Sequence, residues 1–182
     1  LLGVTLLATT GCFTVYTYMT QLLPTPGVQG WPVAVLLACY GGGAVAGNIL
    51  SGRFADRWHP AWVLVVATVT SCVALIVLTV VAVAPPVLAL VLMVWGGACW
   101  SVYSPANTII LSLHQPFLLS LNASAIYSGM ALGGLLGGLL IAGLGAGALP
   151  AGGALLFAVA VRLALVVRRR VPEPIGSPVI KK

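Results

Sequence analysis

Gly47-Asn48-Ile49-Leu50-Ser51-Gly52-Arg53-Phe54-Ala55-Asp56-Arg57 is the stretch from which the rest of the chain can be read. Small residues, with Gly43, Gly47 and Ser51 four apart, lead into a compact cluster of two arginines around one aspartate. No Lys, Arg, Asp or Glu precedes Arg53, and none occurs between Arg57 and Arg162. The other charges crowd the C-terminus: Arg162, Arg168, Arg169, Arg170, Glu173, Lys181 and Lys182. A charge at bilayer mid-depth costs at least about 2.5–3.5 kcal/mol on insertion scales, so long charge-free tracts mark membrane spans.

Composition agrees. Of 182 residues, 60% are hydrophobic and 5% charged, and the mean hydropathy is +1.14. A water-facing domain carries about 25% charged residues, so this surface faces lipid, and the bilayer is the first partner. The net charge of +6 reads as topological anchoring on short loops and a tail. A nucleic-acid face would need interleaved aromatics among the basic residues, and none occurs.

Breakers divide the chain into six lengths of about 20 apolar residues, near 1–23, 31–51, 61–83, 87–111, 118–143 and 148–167, followed by a basic tail over 168–182. The dividers are Pro24-Thr25-Pro26-Gly27, the Arg53–Arg57 cluster read as part of a 52–60 loop, Pro85-Pro86, Ser112–Pro116 and the glycine-rich 145–150 turn. Pro60 suits a first helical turn. With six spans all eight Lys and Arg residues fall on one side, which the positive-inside rule makes cytoplasmic, together with both chain ends. Five or seven spans break this agreement. The expected fold is therefore all-α, a six-transmembrane-helix bundle in the cell membrane. Trp31, Trp58 and Trp62 fall at span ends, where an amphipathic ring suits the interface, whereas Trp95 and Trp100 fall inside span four.

Several chemistries are excluded. The sequence has no HExxH, no GxSxG and no phosphate-binding glycine loop followed by Lys-Ser/Thr. His59 and His114 lie outside the spans, which removes an intramembrane Ser–His pair. Cys12, Cys39, Cys72 and Cys99 lie one per apolar segment without CxxC spacing, so they read as small hydrophobes rather than as a disulfide or metal set. No enzyme, cofactor or metal is expected. The Asn122-Ala123-Ser124 sequon reads as a chance match at a cytoplasmic helix start.

Gly52-Arg53-Phe54-Ala55-Asp56-Arg57 resembles the G-x-x-x-D-R motif of the major facilitator superfamily, found between the second and third helices of each six-helix half. The trailing glycine and basic run of that motif are replaced here by Trp58-His59-Pro60-Ala61, as in the copy carried by C-terminal halves. The Gly47-Asn48-x-x-x-Gly52-Arg53 form, and Asn122-x-Ser124-Ala125 with its later Gly-Gly pairs, resemble the arabinose-efflux-like drug and sugar efflux branch. The resemblance implies half of a transporter, built from two inverted three-helix repeats, with an N-terminal six-helix half as partner and a small molecule as substrate. The start at Leu1, without Met, fits a fragment. In the family the motif's acid faces a helix N-terminus of the other half, where unsatisfied N–H groups and the positive dipole end favour a carboxylate. That role is carried onto Asp56.

The resemblance also gives roles to polar residues inside spans, which tend to face the bundle interior or a water-filled cavity. In the family, spans one and four of each half line the central cavity, and this marks Tyr16, Gln21, Trp100, Tyr103 and Asn107 as candidate substrate contacts. A neutral aromatic wall suits an amphipathic or weakly polar solute. Pro105 is expected to bend span four. Gly129, Gly133 and Gly137 form a second four-residue stripe like Gly43 and Gly47, either packing statically against a neighbour or offering a sliding surface between halves. No acid lies within a span, so proton coupling would fall to the other half. The competing reading is a complete six-span protein acting as a homo-oligomeric channel or scaffold.

Overall fold

The computed structural model describes residues 1–22, 33–80 and 85–170. The 24–27 turn, Trp31, and the tail from 171 with Glu173, Lys181 and Lys182 lie outside the described residues. Those described form α1 (Leu2–Tyr16), α2 (Met19–Leu22), α3 (Val33–Arg57), α4 (Pro60–Val80), α5 (Pro85–Trp100), α6 (Tyr103–Ser112), α7 (Phe117–Leu144) and α8 (Leu149–Arg170), with one 3-10 turn at Ala146–Ala148. Five segments are long and apolar enough to cross a membrane, α5 and α6 counting as one. The sixth is α1, which together with α2 reaches Leu22, a rise of about 30 Å. The bundle is the expected all-α, six-segment one.

Its packing is that of two repeats. Span one (α1–α2) packs on spans five (α7) and six (α8); span four (α5–α6) packs on spans two (α3) and three (α4); spans three and six pack on each other. Exchanging the first three spans with the last three leaves this pattern unchanged. Three spans is an odd number, so the second repeat enters from the opposite face and the two are inverted.

Burial follows from this arrangement. The central α1 buries most of its circumference, including Val4, Thr5, Ala8, Cys12 and Val15, and leaves Tyr16 exposed at its end. By contrast α3 buries a narrow line, Leu36, Tyr40, Gly43, Ser51 and Ala55, and α7 buries Asn122, Gly129, Gly133 and Gly137. These are the equivalent spans two and five. Trp95, Phe157, Leu64 and Leu75 are fully enclosed at the middle.

Four local expectations change. The Arg53–Arg57 cluster is not a loop: α3 runs helical through Arg57. Arg, Phe and Ala sustain a helix, and the turn is confined to Trp58-His59, where the residue before Pro60 is biased out of the helical region. Pro85 and Pro86 do not form the turn; they open α5, as proline in a first turn allows. Span four is broken at Ser101-Val102. Pro105 has no N–H for the Ser101 carbonyl, and its ring crowds that carbonyl. Finally, Arg168–Arg170 belong to the last turn of α8 rather than to a tail, where three cations meet the negative helix end.

Elsewhere the turns follow residue chemistry. Gly145, at φ +85° and ψ 167°, closes α7 in a conformation that a side chain disfavours. His114, at φ 53°, closes α6 with its N–H on the Leu111 carbonyl at 3.1 Å, a left-handed helix end.

Candidate functional site

A connected aromatic cluster joins spans one, two and four. Phe13 meets Tyr16 edge-on (5.5 Å), and Tyr16 stacks on Tyr40 at 5.1 Å. Behind them Tyr40 lies against Trp95 at 4.9 Å. Trp100 donates its indole N–H to the Tyr40 hydroxyl at 3.3 Å and meets Tyr103 edge-on at 5.6 Å. Tyr103 shares a hydrogen bond with Thr9 at 3.1 Å, which ties α6 back to α1. Tyr16 is 41% exposed and Tyr40 only 4%, so the cluster has an open side and a buried back. Trp100 and Tyr103 are half-buried. The cluster carries no formal charge.

Among the predicted cavity residues, the structure brings Tyr16, Trp100 and Tyr103 together. Asn107 lies one face-repeat further along α6, exposed, and its Oδ1 accepts from Asn122 Nδ2 at 3.0 Å. Gln21 is exposed on α2 and joins none of these aromatic contacts. Sequence reasoning missed Tyr40 as part of this cluster, whereas Trp95 inside span four reads from sequence as packing or lining a cavity. Tyr40 carried a signal, since it is an intramembrane phenol three residues before Gly43, the start of the glycine line on α3.

The glycines set how closely the helices approach. A Cβ on Gly43 would land on the Met93 backbone, and one on Gly47 on the Gly97 backbone. Spans two and four therefore meet backbone to backbone. Ser101 Oγ reinforces the seam, lying 2.9 Å from the Gly47 carbonyl and 2.6 Å from the Gly97 carbonyl, with one proton to share. In the equivalent seam a Cβ on Gly129 would meet Thr9 Cβ at 2.8 Å, one on Gly133 the Thr10 carbonyl at 2.7 Å, and one on Gly137 the Thr14 carbonyl at 2.6 Å. Both stripes face helices of this chain.

Cys12 and Cys99 also meet in the core, against expectation, joined with Cα atoms 6.5 Å apart, a distance a disulfide spans. Residues 87 apart in sequence give spacing rules nothing to detect. Cys39 and Cys72 are free.

At the charged end, Arg53, Asp56 and Arg57 are all exposed. Asp56 sits in the last turn of α3, where the helix dipole disfavours an acid by about 0.3–1 kcal/mol. Gly52 lets this end run beside α6, with Ser104 Oγ 3.4 Å from where its Cβ would be. Nearby, Arg168 lies over the Trp62 ring, 3.4 Å from its centroid. That contact joins the cationic end of α8 to the start of α4, which follows directly on the Arg53–Arg57 end of α3. No cluster of metal-ligating side chains occurs among the described residues.

The sequence profile of the Major Facilitator Superfamily matches residues 1–181. The inner membrane transport protein YdhP of Escherichia coli (strain K12) is 33% identical over 184 residues, covering 94% of this chain and 45% of the relative. Two proteins of Bacillus subtilis (strain 168) named as uncharacterized MFS-type transporters are also similar. YbcL is 27% identical, covering 87% of this chain and 42% of its own, and YtbD is 28% identical, covering 78% and 38%. The chain thus spans less than half the length of these relatives. No solved structure matches it.

Proposed function

This chain belongs to the Major Facilitator Superfamily, and from that premise we propose that it is the C-terminal six-helix half of a secondary active transporter that exports a small molecule by alternating access. Membership makes it a multi-pass membrane protein of a transporter family. The further reading rests on one observation, the uncharged aromatic cluster in which Tyr16, Trp100 and Tyr103 of spans one and four are linked through Tyr40, with Tyr16 exposed; we read it as the substrate wall. A wall of ring faces without charge suits an amphipathic, weakly polar and partly aromatic solute. The efflux direction follows the resemblance to the arabinose-efflux-like branch.

The remaining roles follow from placement. Arg53 and Arg57 close α3 and Arg168–Arg170 close α8; the positive-inside rule supports reading that face, and both chain ends, as cytoplasmic in a cell-membrane protein. An acid at the wrong end of its own helix is explained when it meets the positive N-terminus of another. Asp56 is accordingly the latch to the N-terminal half. The only acid among the described residues is Asp56, exposed at the end of α3, so the proton that drives export titrates on that other half.

The test is substrate counterflow by the full chain in liposomes, with a pH gradient imposed and N-phenyl-1-naphthylamine as a neutral aromatic probe. Gradient-driven movement that Trp100→Ala and Tyr16→Ala reduce by at least tenfold is the expected result. A passive conductance with no gradient coupling overturns the reading in favour of a homo-oligomeric channel.

A further inference from the structure

Tyr40 touches the open wall only from behind, yet every ring in it except Tyr103 leads back to this residue. Its ring lies between exposed Tyr16 of span one and enclosed Trp95 of span four. Its hydroxyl accepts the Trp100 indole N–H, and Cys12 Sγ lies 3.4 Å from the same oxygen. Trp100 is the last residue of α5, directly before the Ser101-Val102 break. Helical continuity there does not carry on past the indole, so a side-chain bond must orient it. The close approach is built in, because a side chain on Gly96 would strike the Tyr40 carbonyl and ring.

We infer that Tyr40 is the positioning residue of the substrate wall: its hydroxyl holds the Trp100 indole with its N–H turned away from the solute, and its ring holds Tyr16. This rests on the reading of that wall as the substrate surface. It also sets specificity. With the indole N–H engaged, the wall presents π faces and no indole donor, so it favours apolar aromatic solutes over those that need a hydrogen bond at that point. Tyr40→Phe keeps the ring, frees the N–H and moves selectivity toward solutes carrying an acceptor.

The experiment uses the full chain labelled with 5-fluorotryptophan, the Trp100 fluorine resonance being assigned by its loss in Trp100→Phe. Tyr40→Phe is expected to shift that resonance. It is also expected to weaken N-phenyl-1-naphthylamine binding by about three- to tenfold, the range one hydrogen bond spans. The double variant Tyr40→Phe/Trp100→Phe is expected to bind no worse than Trp100→Phe alone. A Trp100 resonance that stays in place overturns the inference, and so does a double variant in which the two losses simply multiply. If Trp100→Phe and Tyr16→Ala both leave probe binding intact, the substrate-wall reading itself is wrong, whereas a binding loss in those two but not in Tyr40→Phe rejects only the positioning role.

Discussion

Neighbouring glycines on α7 should respond oppositely to the same substitution. At Gly133 an added Cβ lies 2.7 Å from the Thr10 carbonyl, 2.8 Å from Phe13 Cβ and 2.9 Å from the Thr14 nitrogen. Ordinary contact begins near 3.4 Å, so Gly133→Ala makes α7 retreat from α1 by about 0.7 Å. Two of the three obstructing atoms are backbone and do not yield alone. The retreat also loosens the flanking contacts of Gly129 and Gly137. Overpacking of this kind costs about 1–3 kcal/mol, and the better helix propensity of alanine returns at most about 1 kcal/mol. With the full return the net loss is up to about 2 kcal/mol. At Gly134 nothing lies within 4 Å of the added Cβ, and the Tyr18 hydroxyl donates to the Gly134 carbonyl, at 3.0 Å, which alanine retains. Gly134→Ala is therefore neutral or stabilising by up to about 1 kcal/mol. Reversible unfolding of the two variants of the full chain in mixed micelles measures the difference directly. Equal effects, or a larger loss at Gly134 than at Gly133, would refute the assignment of this stripe to the α1 seam. Gly43→Ala and Gly42→Ala repeat the comparison on α3, where the added Cβ meets the Met93 backbone in the first case and nothing within 4 Å in the second.

Three further outcomes are expected. Pro105→Ala returns an N–H to the Ser101 carbonyl and lets α5 run into α6; stability rises by about 1–3 kcal/mol, while counterflow slows if the break serves as a hinge, and an unchanged unfolding midpoint would show that proline is not its cause. Arg168→Ala loses its place over Trp62 and about 0.5–1 kcal/mol, whereas Arg169→Ala, exposed at the helix end, costs less; a double-mutant cycle of Arg168 with Trp62 that shows no coupling rejects the contact. Asp56→Asn should leave the unfolding free energy within about 0.5 kcal/mol but lower transport and redistribute inward- and outward-facing states, read by paired spin labels on the full chain. State populations identical to those of the parent would remove the latch.

Much of this protein was legible in the chain itself. The six spans and the common face of the arginines follow from local free energies: a charge costs several kcal/mol wherever lipid surrounds it, so the position of each charge already reports on topology. The break in span four was half-legible, since Pro105 announces a bend but the disruption falls four residues earlier, at the carbonyl that loses its partner. The end of α3 was misread, because charge was taken for a loop when arginine and alanine continue a helix as readily as they leave one.

Only the tertiary structure could decide which faces meet. Gly129, Gly133 and Gly137 are visible as a stripe in one dimension, but nothing in their spacing says that the partner is α1 rather than another half. Tyr40 reads as one more intramembrane residue until Tyr16, Trp95 and Trp100 converge on it from other spans, and Cys12 meets Cys99 across 87 residues. Hydropathy is a property of each segment against lipid. Close approach is a property of pairs of segments, set by which small residues and which hydrogen-bonding groups come opposite one another, and it exists only once the helices have packed.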